Sequence, residues 1–576
     1  ARLQHTLHLI LSRSCGAHNL SAYVNTDYQR HLPLAEQRLV DRVLDRVLRR
    51  SSLDVQVPIL LDRRLQPVLN LHVHLMLFFV QNTQQFIAAA ERNAGATSTF
   101  KHKFLVVMLR ESHSSSASSA SSATEMSRLF SYMLHQRLNI DVLLLLMQLD
   151  SGTVQSYSFF PFNGGCESVA PVPLPLRQAR LEQLYPQKAS NLNGCPLHVI
   201  VWQVPPYIEL HLERATVEQQ LQGWDAKLLK LLAQRLNFRL QLVPNEPPHL
   251  IGGESHMNGS FTGAFRMLRE RRGNLTCGCA ACLPARSKYL SHTVSYNQVE
   301  YMIVLRSASA YSSYEIMLFP FARSTWLLLL VLAAVYRLQR LLSWTAWTSW
   351  SLPPACRLGG VMLLYVLRLG YESSIFEFVH NAPVRPLPGT VDEAVQADYS
   401  FVVDHATHRM AAWLPHLKSR AHIYPGRAVD MFEQLLRQPP QRDWGVLSSR
   451  DFLDYYLSRQ PEQRHRFVVL QPKVMNNMLC MHLPLGSYMA PIISQLLFDL
   501  RSFGVCQQLS QMSTPTTTTT MSTRGHQDAF GESMRFLHAA CYCILIADAL
   551  ILGVFLLELL SLHSRFRWLH WCFQRL

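Results

Sequence analysis

A long apolar run near the C-terminus constrains this chain more than any other feature. Residues Phe536 to Leu562 are broken only by the acids Asp548 and Glu558. As a helix, the run is long enough to cross about 30 Å of hydrocarbon. Asp548 lies nearer its middle, so we expect this carboxylate to face protein rather than lipid. Arginines and tryptophans follow within residues 563–576, which predicts a cytoplasmic tail.

Two further segments are candidates for membrane spans. Residues 316–336 contain the apolar core TWLLLLVLAAVY and are followed by basic residues. Residues 359–379 contain Arg368, Glu372 and Glu377, so this segment would line a protein interior or a watery path. The alternative for 359–379 is a buried helix of a soluble domain. Three spans, with residues 337–358 as a cytoplasmic segment between the first two, place the N-terminus outside the cell.

Three glycosylation sequons test this orientation independently. Asn19, Asn258 and Asn274 each begin an Asn-x-Ser/Thr triplet, and all three precede the first predicted span. None lies in a segment that the topology assigns to the cytoplasm. We therefore predict a multi-pass protein of the plasma membrane with glycosylated extracellular regions.

Composition and motifs exclude several other classes of protein. The net charge is +15, but no window collects five or six basic residues beside stacking aromatic residues, which disfavours nucleic acid as a partner. No HExxH, GxSxG or phosphate-binding loop is present. The CGCAAC stretch lacks the second ligand pair of a closed zinc site. We expect no enzyme activity, no cofactor and no metal.

The remaining sequence predicts α/β domains outside the membrane. Residues 1–190 alternate apolar and polar stretches, as an α/β region does. Residues 195–312 begin with the order β-α-β and form a first lobe. Residues 388–512 form a second lobe, and a polar linker, 513–535, leads into the last span. Two lobes on the same side of the membrane can close on a ligand between them. The predicted strands are 197–202, 238–243, 399–403, 444–449 and 467–471, and the predicted helices are 223–238, 451–458 and 491–503.

This organisation resembles the ionotropic glutamate receptor superfamily, and more closely the divergent, gustatory-type branch of insect ionotropic receptors. The resemblance covers about residue 195 to the end, and the N-terminal region matches only through its length and through FFPFNGGC and NLNGCPL. It implies a bilobed, periplasmic-binding-protein-like domain split around the pore segments. The motifs that carry it are WQVPPYIEL (202–210), GWDAKLLKLLAQRLNFRLQLV (223–243), GSFTGAFRMLRERRGNLT (259–276), FPFARSTW (319–326), RLGYESSIFEF (368–378), PLGSYMAPIISQLLFDLRSFGV (484–505) and FLLELL (555–560).

The resemblance also implies a ligand site. Glutamate receptors bind the ligand carboxylate through an arginine that precedes an aromatic residue by ten positions, and Arg286 and Tyr296 have this spacing. A guanidinium suits a carboxylate because it donates two parallel hydrogen bonds. In the second lobe, Ser449 and Arg450 stand where the family has an acid for the ligand's amino group. The resemblance therefore implies a small-molecule ligand other than glutamate.

The implied pore is short in this chain. Only residues 337–358 separate the first two predicted spans, and they include Trp344, Trp347 and Trp350. Arg368, Tyr371 and Glu372 occupy the gating segment of the family. A reduced re-entrant loop, or a missing part of it, would account for this length.

Extracellular cysteines can form disulfides. The candidate pairs are Cys166 with Cys195 and Cys480 with Cys506, although spacing alone does not establish which cysteines are joined.

The function that this resemblance implies is a chemosensory, gustatory-type ligand-gated cation channel subunit. Such subunits usually act as heterotetramers with co-receptor subunits. The alternative is a ligand-binding subunit that does not conduct, or a membrane-anchored binding protein.

Overall fold

A computed structural model describes most of the chain outside the C-terminal region. It covers residues 2–15, 21–54, 59–61, 73–92, 102–110, 119–175, 181–246, 252–254, 259–308, 311, 313–344, 354–380, 385–410, 414–438 and 443–513, and then 541–542, 545–546, 548–553 and 555–556.

The N-terminal domain is built on a seven-stranded sheet with the strand order β2-β1-β3-β4-β5-β6-β7. The first five strands in this order pair in parallel, and β6 and β7 are antiparallel additions. Its elements are α1 (Arg2–Cys15), β1 (Ser21–Val24), α2 (Tyr28–His31), α3 (Leu34–Asp54), β2 (Ile59–Leu61), β3 (Val73–Val80), α4 (Thr83–Arg92), β4 (Lys103–Arg110), α5 (Ser119–Ser131), a π-helical turn (Tyr132–Gln136), β5 (Val142–Gln148), β6 (Val154–Ser158), β7 (Val172–Pro173) and α6 (Leu181–Leu184).

The central strands of this sheet are apolar on both faces. Successive side chains of a strand point to opposite faces, so alternate residues of β3 enter different cores. Leu75 and Leu77 join the cluster formed with α1 and α3, whereas Met76 and Phe78 join the cluster formed with α4 and α5. Helices on both faces of a mostly parallel sheet confirm the predicted α/β class for this region.

Lobe 1 is built on a five-stranded sheet with the strand order β11-β8-β12-β20-β13. The strands β8, β11 and β12 pair in parallel, which is the geometry expected of a β-α-β start. Its elements up to β13 are β8 (Pro196–Val201), β9 (Glu209–Leu210), α7 (Val217–Gln220), β10 (Leu221–Gln222), α8 (Trp224–Leu236), β11 (Arg239–Pro244), α9 (Gly263–Arg269), β12 (Leu275–Cys277), α10 (Pro284–Ser287) and β13 (Leu290–His292).

The next strand, β14 (Asn297–Arg306), leaves lobe 1 and is followed by three helices. They are α11 (Ser313–Leu318), α12 (Arg323–Trp344) and α13 (Pro354–His380). Large apolar side chains are exposed along α12 and α13, including Leu327, Leu330, Val361 and Val366. Within the described residues, no helix combines the length and the apolar character needed to cross a membrane. Most of the predicted last span, 536–562, lies outside the described residues.

Lobe 2 is built on a six-stranded sheet in which β16-β15-β17-β14-β18 lie side by side and β19 also pairs with β14. Its helices cover this sheet. The elements are α14 (Val391–Gln396), β15 (Ser400–Val403), α15 (His405–Met410), α16 (Pro415–Lys418), β16 (Ala421–Ile423), α17 (Asp430–Arg437), β17 (Trp444–Ser449), α18 (Arg450–Arg459), a 3-10 helix (Pro461–Arg466), β18 (Phe467–Val469) and β19 (Met475–Leu479).

The sheets divide the chain differently from the predicted boundaries. β14 belongs to the sheet of lobe 2, although the first lobe was predicted to extend to residue 312. After β19 the chain returns to lobe 1 as β20 (His482–Pro484), α19 (Met489–Ser502) and α20 (Val505–Ser513). The reason is strand pairing, because β20 fills the gap between β12 and β13 through antiparallel contacts with both. The chain therefore crosses between the lobes twice.

Candidate functional site

Several polar contacts join the two lobes, and one of them links Tyr207 to Asp451. The Tyr207 hydroxyl donates a hydrogen bond of 2.6 Å to Asp451 Oδ2 at the start of α18. Tyr207 is held in place by α8, since the backbone N–H of Asp225 donates to the Tyr207 carbonyl at 3.1 Å. Gly223 makes this approach possible, because a Cβ on it would lie 2.3 Å from the same carbonyl oxygen.

Two further contacts pair a lobe 1 carboxylate with side chains of lobe 2. Tyr455 donates a hydrogen bond of 2.6 Å to Glu209, and Arg459 lies 3.6 Å from the same carboxylate. Glu254 forms an ion pair with Arg409 and lies 3.1 Å from His405 Nδ1. The acids of lobe 1 thus meet the cations of lobe 2 around the edge of the interface.

Asp225 lies beneath these contacts and is fully buried. Its Oδ2 accepts hydrogen bonds from the backbone N–H of Cys279 at 2.8 Å and from the Tyr296 hydroxyl at 3.1 Å. Burial raises the pKa of Asp225 to about 7, and the two hydrogen bonds only partly oppose that shift. Tyr296, which the motif spacing assigned to the ligand site, therefore has a partner of its own.

Arg286 is the buried cation of lobe 1. It lies on α10, where its Nη1 donates to the Ala281 carbonyl at 3.0 Å and its guanidinium carbon lies 3.9 Å above the centre of the Phe265 ring. Its Nε is buried and has no hydrogen-bond partner. No carboxylate among the described residues forms an ion pair with Arg286.

Arg409 of lobe 2 is the charged group that acts on Arg286. Burial, and then the charge of Arg409 from lobe 2, lower the pKa of Arg286 to about 10. Across the Phe265 ring lies His482 of β20, with a ring-centre distance of 5.1 Å. Burial, together with the charges of Arg286 and His292, holds the pKa of His482 well below its ordinary value, so this imidazole is neutral. A desolvated guanidinium without an anionic partner can bind an anion.

The predicted lobe 2 residues occupy a different environment. Ser449 is buried and caps α18, with its hydroxyl accepting from the Phe452 N–H at 3.4 Å. Arg450 lies 3.7 Å from Glu300 and 3.5 Å from Asp454, so its charge is already balanced by two carboxylates. The structure therefore does not bring Arg450 together with Arg286.

The sequence motifs did not point to two carboxylates of lobe 2. One is Asp451, described above. The other is Asp404, which is buried, precedes α15 and accepts from the N–H groups of Ala406 and Thr407 at 3.1 and 3.4 Å. Its Oδ1 is buried without a hydrogen-bond partner, and burial raises its pKa. An aspartate directly after a strand and at the start of a helix is the signal that could have identified Asp404.

One of the two predicted disulfides is present in the structure, and the other predicted pairing is wrong. Cys166 is bonded to Cys195, which links the N-terminal domain to the start of lobe 1. Cys480 is bonded to Cys282 and not to Cys506, whose thiol is buried and free. The reason is the return of the chain into lobe 1. The Cys282 N–H donates to the Met478 carbonyl, and the Cys480 N–H donates to the Ala280 carbonyl. These bonds place Cys282 and Cys480 side by side.

The predicted pore and glycosylation residues are only partly described. Trp344 ends α12, whereas Trp347 and Trp350 lie outside the described residues. Arg368 and Glu372 form an exposed ion pair of 2.8 Å one turn apart, and the Tyr371 hydroxyl donates to the Met317 carbonyl at 3.0 Å. Asn274 is exposed and accepts a hydrogen bond from the His198 N–H. Asn19 and Asn258 lie outside the described residues.

Comparison with known proteins finds a receptor family in the N-terminal domain. Residues 19–191 match the family described as "Putative ionotropic receptor, ligand binding domain". The match covers less than a third of the chain and lies in the N-terminal domain, whereas the resemblance carried by the sequence motifs was concentrated from residue 195 onward. It indicates that this part of the chain is similar to ligand-binding domains of ionotropic receptors. No curated protein is significantly similar to this chain.

Several solved structures are distantly similar. Drosophila muscle GluRIIB in complex with glutamate is 12% identical, with a TM-score of 0.37 over 55% of this chain and 98% of that chain. A Mnemiopsis leidyi iGluR LBD with D-serine is 10% identical, with a TM-score of 0.36 over 56% and 100%. A Pleurobrachia bachei iGluR3 LBD with glycine is 12% identical, with a TM-score of 0.36 over 56% and 98%.

Proposed function

We propose that this chain is a subunit of a ligand-gated cation channel of the ionotropic receptor type, and that its ligand is a small carboxylate bound between lobes 1 and 2. The observation that carries this proposal is the guanidinium of Arg286, which is buried beside the second lobe with no carboxylate partner among the described residues. Burying a charge without a partner is costly, and a bound anion would remove that cost.

The charges around Arg286 favour an anion over an amino acid. Arg409 reaches the same region from lobe 2 and lowers the pKa of Arg286. Of the lobe 2 carboxylates, Asp451 already accepts from Tyr207, and Asp404 accepts from its own helix through Oδ2 while its Oδ1 is buried without a hydrogen-bond partner. A ligand ammonium group would have to displace the bond to Asp451 or reach the buried Oδ1 of Asp404. Glutamate is therefore a poor candidate, and a carboxylate without an amino group is the better one.

The connections of lobe 2 provide a way to transmit closure. β14 of lobe 2 runs towards α11 and α12, and α13 leads back into lobe 2 through α14. Movement of lobe 2 towards lobe 1 would therefore act on both helices at once. A ligand that binds the closed lobes more tightly shifts the population towards that state and biases the helices.

The exposed apolar side chains of α12 and α13 support a membrane position for these helices. Under this proposal the chain is a multi-pass protein of the plasma membrane with its lobes outside the cell. Its role is chemosensory, and it works in heterotetramers with co-receptor subunits. A non-conducting subunit is the second candidate, favoured by the short separation between the end of α12 at Trp344 and the start of α13 at Pro354.

Whole-cell recording tests the proposal. Cells would express this chain alone and with co-receptor subunits, and would be exposed to carboxylates, amines, sugars, salts and glutamate. We expect a carboxylate-evoked current only when co-receptors are present. Arg286→Ala should abolish the response, and Arg286→Lys should retain part of it because it keeps the charge but loses the bidentate geometry.

The matched control is Arg272→Ala, which removes an exposed lobe 1 arginine that pairs with Glu246. It should leave the dose–response unchanged. An unchanged dose–response in Arg286→Ala, at confirmed surface expression, would overturn the assigned site. A surface-expressed complex that binds a carboxylate without passing current would favour the non-conducting candidate.

A further inference from the structure

A large cavity lies between the N-terminal domain and lobe 1, away from the contacts between lobes 1 and 2. Its volume is about 1010 Å³, which is at the upper end of the range for small-molecule sites. The N-terminal domain contributes residues that follow α5, including Gln136 and Arg137. Lobe 1 contributes residues from α10, β13 and α19, including Leu290 and Phe498.

The walls of this cavity are fixed to each other by direct bonds. Arg271 of lobe 1 donates to the carbonyls of His135 and Gln136, which end the π-helical turn of the N-terminal domain. A guanidinium at a helix C-terminus also interacts favourably with the helix dipole. The Tyr488 N–H donates to the Leu138 carbonyl at 3.1 Å, and the Cys166–Cys195 disulfide joins the same two domains. The cavity is therefore formed before any ligand binds.

The lining of the cavity is positively charged and partly apolar. It includes the guanidinium groups of Arg137 and Arg271, and none of the described lining residues is Asp or Glu. Arg271 is bonded to neutral carbonyls, so its charge is not cancelled. No acid among the described residues forms an ion pair with Arg137. Leu290, Leu485 and Phe498 provide an apolar surface in the same cavity.

We infer that this cavity is a second ligand site, which binds an organic anion with an apolar body, such as an aromatic carboxylate. The anionic group would bind Arg137, whose guanidinium can donate two parallel hydrogen bonds to it. The ring system would lie against Leu290, Leu485 and Phe498. Ser287 lines this cavity, and its neighbour Arg286 belongs to the site between the lobes. The two sites therefore share the short helix α10 while using different cations.

Isothermal titration calorimetry on the purified full-length chain tests the inference. The probe is 2-naphthoate, and the neutral comparison compound is 2-naphthalenemethanol. We expect saturable binding of the carboxylate and much weaker binding of the alcohol. Arg137→Ala should weaken 2-naphthoate binding by about tenfold or more, and Arg137→Lys should restore part of it because the charge returns.

Three further variants distinguish binding in this cavity from binding elsewhere on the chain. Arg128→Ala removes an exposed arginine of the N-terminal domain that does not line the cavity, and it should bind normally. Because 2-naphthoate is itself a carboxylate, Arg286→Ala removes any share of it that binds between the lobes. The share that depends on Arg137 should remain in this variant, so a failure of the proposed site between the lobes would not mimic a failure here. His292→Glu places a negative charge at an exposed lining position and should weaken binding of the carboxylate. This variant provides the test if Arg137→Ala fails to fold.

Three results would overturn the inference. They are no saturable heat at millimolar 2-naphthoate, equal binding of the alcohol and the carboxylate, and loss of binding in Arg286→Ala with normal binding in Arg137→Ala.

Discussion

The hydroxyl of Tyr207 in lobe 1 lies 2.6 Å from the carboxylate of Asp451 in lobe 2, and the two residues are 244 positions apart in the chain. Tyr207 is fully buried, and its ring packs against Trp224 and Phe452. Burial raises the pKa of Asp451, whereas the hydrogen bond from Tyr207 lowers it. This hydrogen bond therefore couples the ionisation of Asp451 to the position of lobe 1.

Tyr207→Phe should loosen the contact between the lobes. It removes the donor to a carboxylate that is largely shielded from water, which costs about 1–3 kcal/mol. Hydrogen exchange at the amides of α18 should become about fivefold faster or more, because local opening is easier. The control is Tyr157→Phe, which removes a local hydroxyl contact to Gln155 in the N-terminal domain. Equal exchange at α18 in both variants would contradict the role of Tyr207.

Asp225 should make stability depend on pH. Its pKa is about 7 in the folded chain, against an ordinary value of 3.8. The folded state therefore holds the proton more tightly than the unfolded chain does, and the stability contributed by this proton is lost as the pH rises from about 4 to about 7. The full difference corresponds to roughly 4 kcal/mol.

The apparent Tm of Asp225→Asn, compared with that of the natural chain, measures this effect. Asparagine stays neutral and can still accept from Cys279 and Tyr296, so its relative advantage should grow between about pH 5 and about pH 8. A difference in Tm that is the same at both pH values would show that Asp225 does not titrate in this range.

Peptide mapping without reduction should recover Cys282 linked to Cys480. The Cys506 thiol should be alkylated only after unfolding, because it is buried. Cys282→Ser should cost about 2–5 kcal/mol, as the loss of a native disulfide does. Cys506→Ala serves as the matched control and should cost much less. Recovery of a Cys480–Cys506 peptide would contradict the pairing in the structure.

Gly223→Ala should be strongly destabilising. Its φ is +106°, and a Cβ would lie 2.3 Å from the backbone oxygen of Tyr207, so the main chain itself must move. We expect a loss of more than about 2 kcal/mol and reduced surface delivery. Gly152→Ala is a matched control, since its φ is +59° but no atom lies within 4 Å of the added carbon. It should cost only about 1 kcal/mol. Similar losses in both variants would show that the contact with Tyr207 is unimportant.

Local elements of the lobes could be predicted because they follow from periodicity. The predicted helix 223–238 corresponds to α8, and the predicted strand 197–202 corresponds to β8 within one residue at each end. The family resemblance pointed to Arg286, which the structure places in a buried position, and its role in ligand binding stays a prediction. These features depend on residues that are close in sequence.

The contacts of the site could not be predicted because their partners are far apart. Arg450 was expected to face the ligand, but Glu300, 150 positions earlier, helps to balance its charge. The Tyr207–Asp451 bond and the return of β20 into lobe 1 also depend on pairing between distant segments. No local pattern encodes such partners, since register between strands is set by the whole sheet.

The Cys282–Cys480 bond has a consequence for limited proteolysis. It closes a covalent ring that contains all of α11, α12 and α13 and nearly all of lobe 2, with the two cysteines 198 positions apart. A protease that nicks the chain once inside this ring leaves a single molecule, which separates into two fragments only after reduction. A receptor cut at an exposed loop of lobe 2 would therefore keep its lobes and helices attached to one another.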